Sequence, residues 1–154
     1  PGNQNGESLV YSLMNRKKIA IEDEKIKLKA NEVLQFLKID NLKNELAGNL
    51  SGGQKKLLEL ARTMMVDAKI VFLDEVGAGV NKTLLNDIAD SILRLNKEKG
   101  YTFCMIEHDY NLISRLCDPI IVLAEGNVLF EGTAAEVREN TEVIESYLGR
   151  GVKK

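Results

Sequence analysis

Leu50-Ser51-Gly52-Gly53-Gln54 is followed at once by Lys55-Lys56-Leu57-Leu58-Glu59-Leu60-Ala61-Arg62. It is a polar, glycine-paired turn that opens a helix. The Ser51 hydroxyl can cap that helix, and Gly52 and Gly53 let another molecule approach the backbone closely. The first N–H groups of a helix lack internal partners and carry partial positive charge. An exposed Ser-Gly-Gly at such a start is therefore a seat for a phosphate. Taken alone, it is equally an ordinary capped helix.

Upstream, Leu9, Val10, Leu13 and Met14 have helical spacing, which predicts a short amphipathic helix from about Ser8. Arg16-Lys17-Lys18 reads as a basic break. Ile26, Ala30, Val33, Leu34 and Leu37 then recur at helical intervals and predict a second helix over 22–39. Lys25, Lys27 and Lys29 fall off that stripe and read as a solvated face. A polar connector covers 40–49. The helix after the glycine turn reaches about Val66, with Leu57, Leu60, Ala61, Met64 and Met65 on its buried stripe.

After this the texture changes. Ile70-Val71-Phe72-Leu73 is a short apolar run ending in Asp74-Glu75, the pattern of a strand buried on both faces of a parallel sheet. Gly77-Ala78-Gly79 is a loop, and Asn81 can cap a helix that Gly100 ends. A second strand, Thr102 to Ile106, leads to Glu107-His108-Asp109 and a helix from about Tyr110 to Leu116. Two apolar runs flank Glu125-Gly126-Asn127 as a β-hairpin. Thr133-Ala134-Ala135-Glu136 is a capping box, and a last helix covers 141–148. The fold class is therefore α/β: a helical subdomain (1–66), then part of a sheet domain (67–154) ending in a β-hairpin and short helices.

The bulk numbers narrow the function classes. The chain has 154 residues, enough for a sizeable core, and is 44% hydrophobic and 29% charged. Lys+Arg 21 against Asp+Glu 23 gives a formal net charge of −2, with no electrostatic push toward nucleic acid or anionic lipid. No apolar run approaches the ~20 residues of a membrane-spanning helix, and the polar N-terminus does not read as a signal peptide. Cys104 and Cys117 lack metal spacing and read as buried, reduced thiols.

Three groups carry chemistry. Asp74 and Glu75 lie at the carboxyl edge of a sheet, where open α/β folds bind ligands. Asp74 suits Mg²⁺, directly or through water, and Glu75 suits a general base acting on water. His108, the single histidine, lies just past the second strand and can reach a γ-phosphate or the attacking water if the strands are neighbours. Separately, each has a plain structural explanation.

Their order, 51–54, then 74–75, then 108, resembles the ATP-binding subunits of ABC transporters. Leu50-Ser51-Gly52-Gly53-Gln54 matches the family signature motif. Ile70-Val71-Phe72-Leu73-Asp74-Glu75 looks like the Walker B strand with its catalytic glutamate. Gly79-Val80-Asn81 looks like the D-loop, and His108 like the switch histidine. The resemblance covers the chain from about Ser8. It is greatest to the branched-chain amino-acid uptake subgroup, through Asn81, Ile106-Glu107-His108-Asp109, Glu131-Gly132-Thr133 and the ending over 142–149.

The resemblance implies a P-loop ATPase sheet domain, ATP and Mg²⁺ as cofactors, and a peripheral place on the cytoplasmic face of the membrane. Its implied partners are transmembrane permease subunits and a second ATP-binding subunit, like or unlike this one, with no nucleic acid and no membrane insertion. Ser51, Gly52, Gly53 and Gln54 would touch ATP held by the partner, with Asn81 in the D-loop. Asp74, Glu75 and His108 would act on the chain's own side.

There are departures. Val76 stands where the family usually has proline, and Asn81 lacks a carboxylate's charge. No G-x-x-x-x-G-K-[ST] occurs: Gly48 to Gly53 fits its first half, but Gln54 stands where lysine is needed. Gln4 lacks the surroundings of the family's Q-loop. The chain, which begins at Pro1, thus reads as starting after both elements, and by itself it is expected to be inactive as an ATPase. Two alternatives stand beside this reading. One is a DNA-repair or chromosome-type ABC ATPase, which would carry long coiled-coil insertions before the signature. The other is a non-catalytic partner module that supplies only the signature face.

Overall fold

The computed structural model describes residues 16–66 and 68–148. The helix expected from Ser8 lies outside them. Helix α1 runs Arg16–Phe36 and α2 runs Gly52–Met65. Strand β1 (Ile70–Asp74), helix α3 (Lys82–Lys99) and strand β2 (Thr102–Ile106) form a strand–helix–strand unit. Then come α4 (Tyr110–Leu116), β3 (Ile120–Ala124), β4 (Asn127–Gly132), α5 (Ala134–Glu139) and α6 (Thr141–Leu148).

The chain divides into two compact units. The first takes the described residues up to Val71 together with Ala78–Cys104, and the second takes Phe72–Gly77 with the described residues from Met105 onward. β1 and β2 form one two-stranded sheet. Thr102 N–H donates to the Lys69 carbonyl at 2.9 Å, and Glu75 N–H to the Ile106 carbonyl at 3.0 Å. Both partners advance together, so the strands run parallel, as a helical crossover demands.

In the first unit α1 packs on α2 and α2 on α3. The buried stripe of α2 is Leu57, Leu60, Ala61 and Met64, as its periodicity predicts. Val33 and Leu37, at and just past the end of α1, and Ile88, Ile92 and Leu95 of α3 are buried too, with Leu95 fully buried. Each such aliphatic side chain contributes about 1.5–3 kcal/mol by leaving water. Arg94 joins α3 to the end of α1: its guanidinium lies 4.0 Å from the Phe36 ring centroid, and Nη1 donates to the Phe36 carbonyl at 3.1 Å.

In the second unit the β3–β4 hairpin pairs Ile120 with Gly132 and Ala124 with Asn127, with an irregularity between Val122 and Leu123. Its two-residue turn, Glu125-Gly126, has positive φ at both positions (51° and 80°), the twist that matches a hairpin. Ile120, Val122, Val137 and Val143 form its core, with Ile113, Leu129 and Phe130 packed against them. Tyr110 hydroxyl donates to the Ala134 carbonyl at 2.6 Å and ties α4 to α5.

Five expectations are corrected. Arg16-Lys17-Lys18 is no break but the first turn of α1, because consecutive long basic residues keep high helix propensity and can point to water. Helix α1 also ends earlier than expected, at Phe36, where Lys38 turns left-handed (φ 58°). Lys29 is not simply solvated, since its Nζ donates to the Met65 carbonyl at 3.3 Å, at the end of α2 where bare carbonyls favour a cation. β1 is not buried on both faces: Val71 is buried, but Phe72 is 77% exposed and Ile70 58%. An apolar run reports only that both faces resist water, not that the described residues cover both. For the same reason Cys104, on the open face of β2, is exposed while Cys117 is half-buried, and neither forms a disulfide.

Candidate functional site

The Ser51–Gln54 turn is built by local capping. Ser51 has extended backbone (φ −62°, ψ 162°) and its hydroxyl accepts the Gln54 N–H at 3.4 Å. The Gln54 side chain returns the bond by accepting the Ser51 N–H at 2.9 Å. This reciprocal capping box fixes where α2 starts and which way its first N–H groups point. The sequence reading foresaw the serine cap but not that Gln54 completes it.

The two glycines do different things. Ser51 and Gly52 are exposed. A Cβ on Gly52 would lie at an ordinary 3.7 Å from the Gly79 carbonyl. Gly53 is buried, and a Cβ there would collide with Leu84 Cδ2 and stand 2.8 Å from Leu84 Cγ and 3.1 Å from Val80 Cγ1. The space beside Gly53 is thus filled by this chain's own α3. Close approach by an outside molecule is open at Gly52.

The loop that follows β1 returns beside this turn. Asn81 has extended backbone and its Oδ1 accepts the Leu84 N–H at 3.0 Å, which caps α3. The D-loop candidate is therefore anchored at the foot of the helix that packs on Gly53.

The carboxylates and the histidine belong to the second unit. Asp74 is the last residue of β1 and is exposed. Glu75 follows with φ 45°, a left-handed conformation that a non-glycine residue adopts only when its surroundings impose it. His108 Nδ1 lies 3.8 Å from Glu75 Oε1, with both side chains largely exposed, so the contact is an ion pair only when the imidazole is protonated. The paired strand ends thus bring Glu75 and His108 together, as the sequence reading required. Asp109 caps α4 through Oδ1, which accepts the Asn111 N–H at 2.9 Å and the Leu112 N–H at 3.4 Å.

One residue at this edge had no assigned role. The Glu107 side chain is only 1% exposed. Its Oε1 accepts the Gly77 N–H at 2.8 Å and its Oε2 accepts the His108 N–H at 3.3 Å. The signal was in the strand's parity: 103, 105 and 107 alternate with the exposed 102, 104, 106 and 108. Glu107 stands where an apolar inner-face residue is expected.

Among the described residues no group of three or more His, Cys, Asp or Glu is arranged to hold a metal ion, and no helix is long and apolar enough to cross a membrane. A cavity of about 260 Å³ in the first unit, between Val33, Phe36, Met64 and Tyr101, is lined by none of the predicted site residues.

The ABC transporter family model matches residues 2–78, and that of the branched-chain amino acid ATP-binding cassette transporters matches residues 127–153. The probable branched-chain amino acid transport ATP-binding protein LivG of Archaeoglobus fulgidus is 42% identical over 144 residues, covering 94% of this chain and 55% of that protein. Its counterpart from Methanocaldococcus jannaschii is 39% identical, over 94% of this chain and 57% of that protein. A nucleotide-free ATP-binding cassette from an ABC transporter superposes with a TM-score of 0.75 at 37% identity, covering 94% of this chain and 58% of the other. The chain therefore spans little more than half the length of these relatives. With the family model matched over residues 2–78 and these relatives beside it, the chain belongs to the ABC transporter family.

Proposed function

We propose that this chain works as part of the ATP-hydrolysing subunit of an ABC transporter, peripheral to the membrane, and that the parent drives uptake of branched-chain amino acids. The observation that carries the ATPase reading is the 3.8 Å approach of Glu75 and His108 at adjacent strand ends. Glu75 would act as the general base that orients and polarises the attacking water. His108 would hydrogen-bond the γ-phosphate or that water. Asp74 fits a Mg²⁺ site, since this ion is commonly held by one carboxylate plus substrate phosphates and water. The ion would neutralise phosphate charge there.

The signature face would serve the second nucleotide of a head-to-tail dimer. Ser51, Gly52 and the first N–H groups of α2 present partial positive charge to a γ-phosphate held by the partner's glycine–lysine loop. Gln54 would act through the capping box that aims them, and Gly53 through the close packing of α2 on α3. Asn81 would lie in the D-loop without adding charge. The solute class rests on the relatives' names and on the match over residues 127–153. A permease pair in the membrane and a second ATP-binding subunit are the partners this reading requires.

The test is ATP turnover by a complete cassette in which this chain follows a P-loop-bearing half. Glu75→Gln should lower kcat by about 10²–10⁴-fold, the usual contribution of a general base. Turnover equal to the parent's would refute the assignment. Uptake of leucine, isoleucine or valine by the assembled transporter tests the solute, and selective uptake of another class would overturn that part alone.

A further inference from the structure

We propose that Glu107 is a positioning residue for the Glu75–His108 pair: its buried carboxylate ties the turn that carries Glu75 to the strand end that carries His108. The proposal rests on the ATPase reading above for its catalytic consequence, but its geometry is independent of it.

Three observations lead here. The Glu107 side chain is 1% exposed in an edge where Asp74, Glu75 and His108 are exposed. A carboxylate is rarely buried without compensation, because its charge loses hydration. The compensation is specific: one oxygen takes the Gly77 N–H at 2.8 Å, and the other takes the His108 N–H at 3.3 Å. Both donors flank the reacting pair. Gly77 closes the turn in which Glu75 holds φ 45°, and His108 is the histidine itself.

The anchor acts together with a second tie. Glu75 N–H donates to the Ile106 carbonyl at 3.0 Å, which joins the strand ends through the backbone. That bond alone fixes one point and leaves the turn beyond it free to rotate. The Glu107–Gly77 bond fixes a second point two residues on. With both made, the left-handed Glu75 backbone is held, and its carboxylate reaches His108 Nδ1 at 3.8 Å. Glu107 Oε2 is itself 3.9 Å from that nitrogen, so a buried and an exposed carboxylate both approach the imidazole. Without Glu107, Glu75 and His108 would keep their identities but lose their fixed separation.

The chain has a single histidine, so its imidazole C–H resonances need no assignment. In the 154-residue chain, Glu75→Gln should shift the His108 Cε1–H signal, because the two side chains touch. In the Glu107→Ala background the same Glu75→Gln change should leave that signal unmoved, while the remaining amide spectrum stays dispersed. Glu107→Gln, which keeps an acceptor for Gly77 but can turn an NH₂ toward the His108 N–H, should retain part of the effect. It also serves if Glu107→Ala does not fold. A Glu75 effect on His108 that persists undiminished in both backgrounds overturns the proposal.

In the complete cassette, Glu107→Ala should lower kcat at least tenfold with the KM for ATP within twofold. A purely structural role would instead reduce the amount of folded enzyme and leave turnover per folded molecule unchanged, and that result also overturns the proposal. A parent cassette with no ATP hydrolysis would refute the ATPase reading and the catalytic half of this one. The histidine signal would then still decide whether Glu107 positions the pair.

Discussion

Gly52 and Gly53 make the sharpest mechanical prediction, because adjacent and identical residues stand in opposite surroundings. Replacing either by alanine relieves the same backbone freedom and gains about 0.5–1 kcal/mol of helix propensity. That gain cancels when the two variants are compared with each other. What remains is the added methyl. At Gly52 it meets only the Gly79 carbonyl at 3.7 Å, ordinary contact. At Gly53 it meets Leu84 Cγ at 2.8 Å and Val80 Cγ1 at 3.1 Å, inside van der Waals contact. Overpacking of this kind costs about 1–3 kcal/mol. Gly53→Ala should therefore be about 1–3 kcal/mol less stable than Gly52→Ala, a Tm difference of roughly 2–10 °C for a chain of this size. Thermal and urea unfolding followed by circular dichroism at 222 nm read both quantities. Leu84→Ala supplies the control: in its background the Gly53→Ala penalty should shrink by at least half, as contact pairs couple. Equal stabilities for Gly52→Ala and Gly53→Ala, or a penalty unaffected by Leu84→Ala, would refute the account of how α2 and α3 pack at the signature turn.

Other perturbations follow from other parts of the fold. Arg94→Lys keeps the charge but loses the planar stack on Phe36 and the shared hydrogen bonds to the Phe36 carbonyl and Glu98, so a loss of about 1–2 kcal/mol in urea unfolding is expected; stability equal to the parent's would contradict it. Leu60→Ala, in the buried stripe of α2, should cost about 2–5 kcal/mol by the same measurement. The Glu136 carboxyl is held below its usual 4.5 by the Thr133 N–H and then the Thr133 hydroxyl. A carboxyl lowered in this way stabilises the fold fully above its unfolded value and loses that contribution as pH falls through its folded value. Amide exchange in α5 should thus accelerate as pH falls through the carboxyl's folded value relative to the intrinsic rate; Glu136→Gln should remove that step, and Thr133→Ala, which keeps the backbone N–H at 133, should only lessen it. An unchanged step in Glu136→Gln would assign it to another group.

Much of this was legible in the sequence, for physical reasons that differ by element. α2, the β3–β4 hairpin and α5 were readable because their signals are local: Ser51, Glu125-Gly126 and the Thr133–Glu136 box each act within a few residues. The Glu75–His108 contact was readable only through order, since nothing in the sequence measures a distance between strand ends. The misplaced start of α1 came from treating Arg16-Lys17-Lys18 as a boundary, although a charge run can occupy a helix turn as well as a loop. The exposure of Phe72 and Cys104 could not be read, because hydrophobicity describes what a face prefers and not what lies on it. Glu107 was hidden by its neighbour: a carboxylate beside a candidate histidine looks like solvent-facing polarity until the strand's alternation is followed one residue past its end. Gly53 was credited with admitting a ligand, and only the position of Leu84 shows which glycine is already filled.

In the function proposed above, the Ser51–Gly52 turn would seat the γ-phosphate of an ATP held by another subunit. The direct measurement is the association of this chain with a P-loop-bearing, hydrolysis-deficient cassette, followed by analytical ultracentrifugation with and without ATP. Gly52→Asp is the informative variant, because a carboxylate at a helix N-terminus complements the helix dipole yet repels a phosphate. ATP-dependent association is expected, weakened at least tenfold in Gly52→Asp while the Tm holds or rises. Association that is indifferent to ATP, or equally strong with Gly52→Asp, would contradict it.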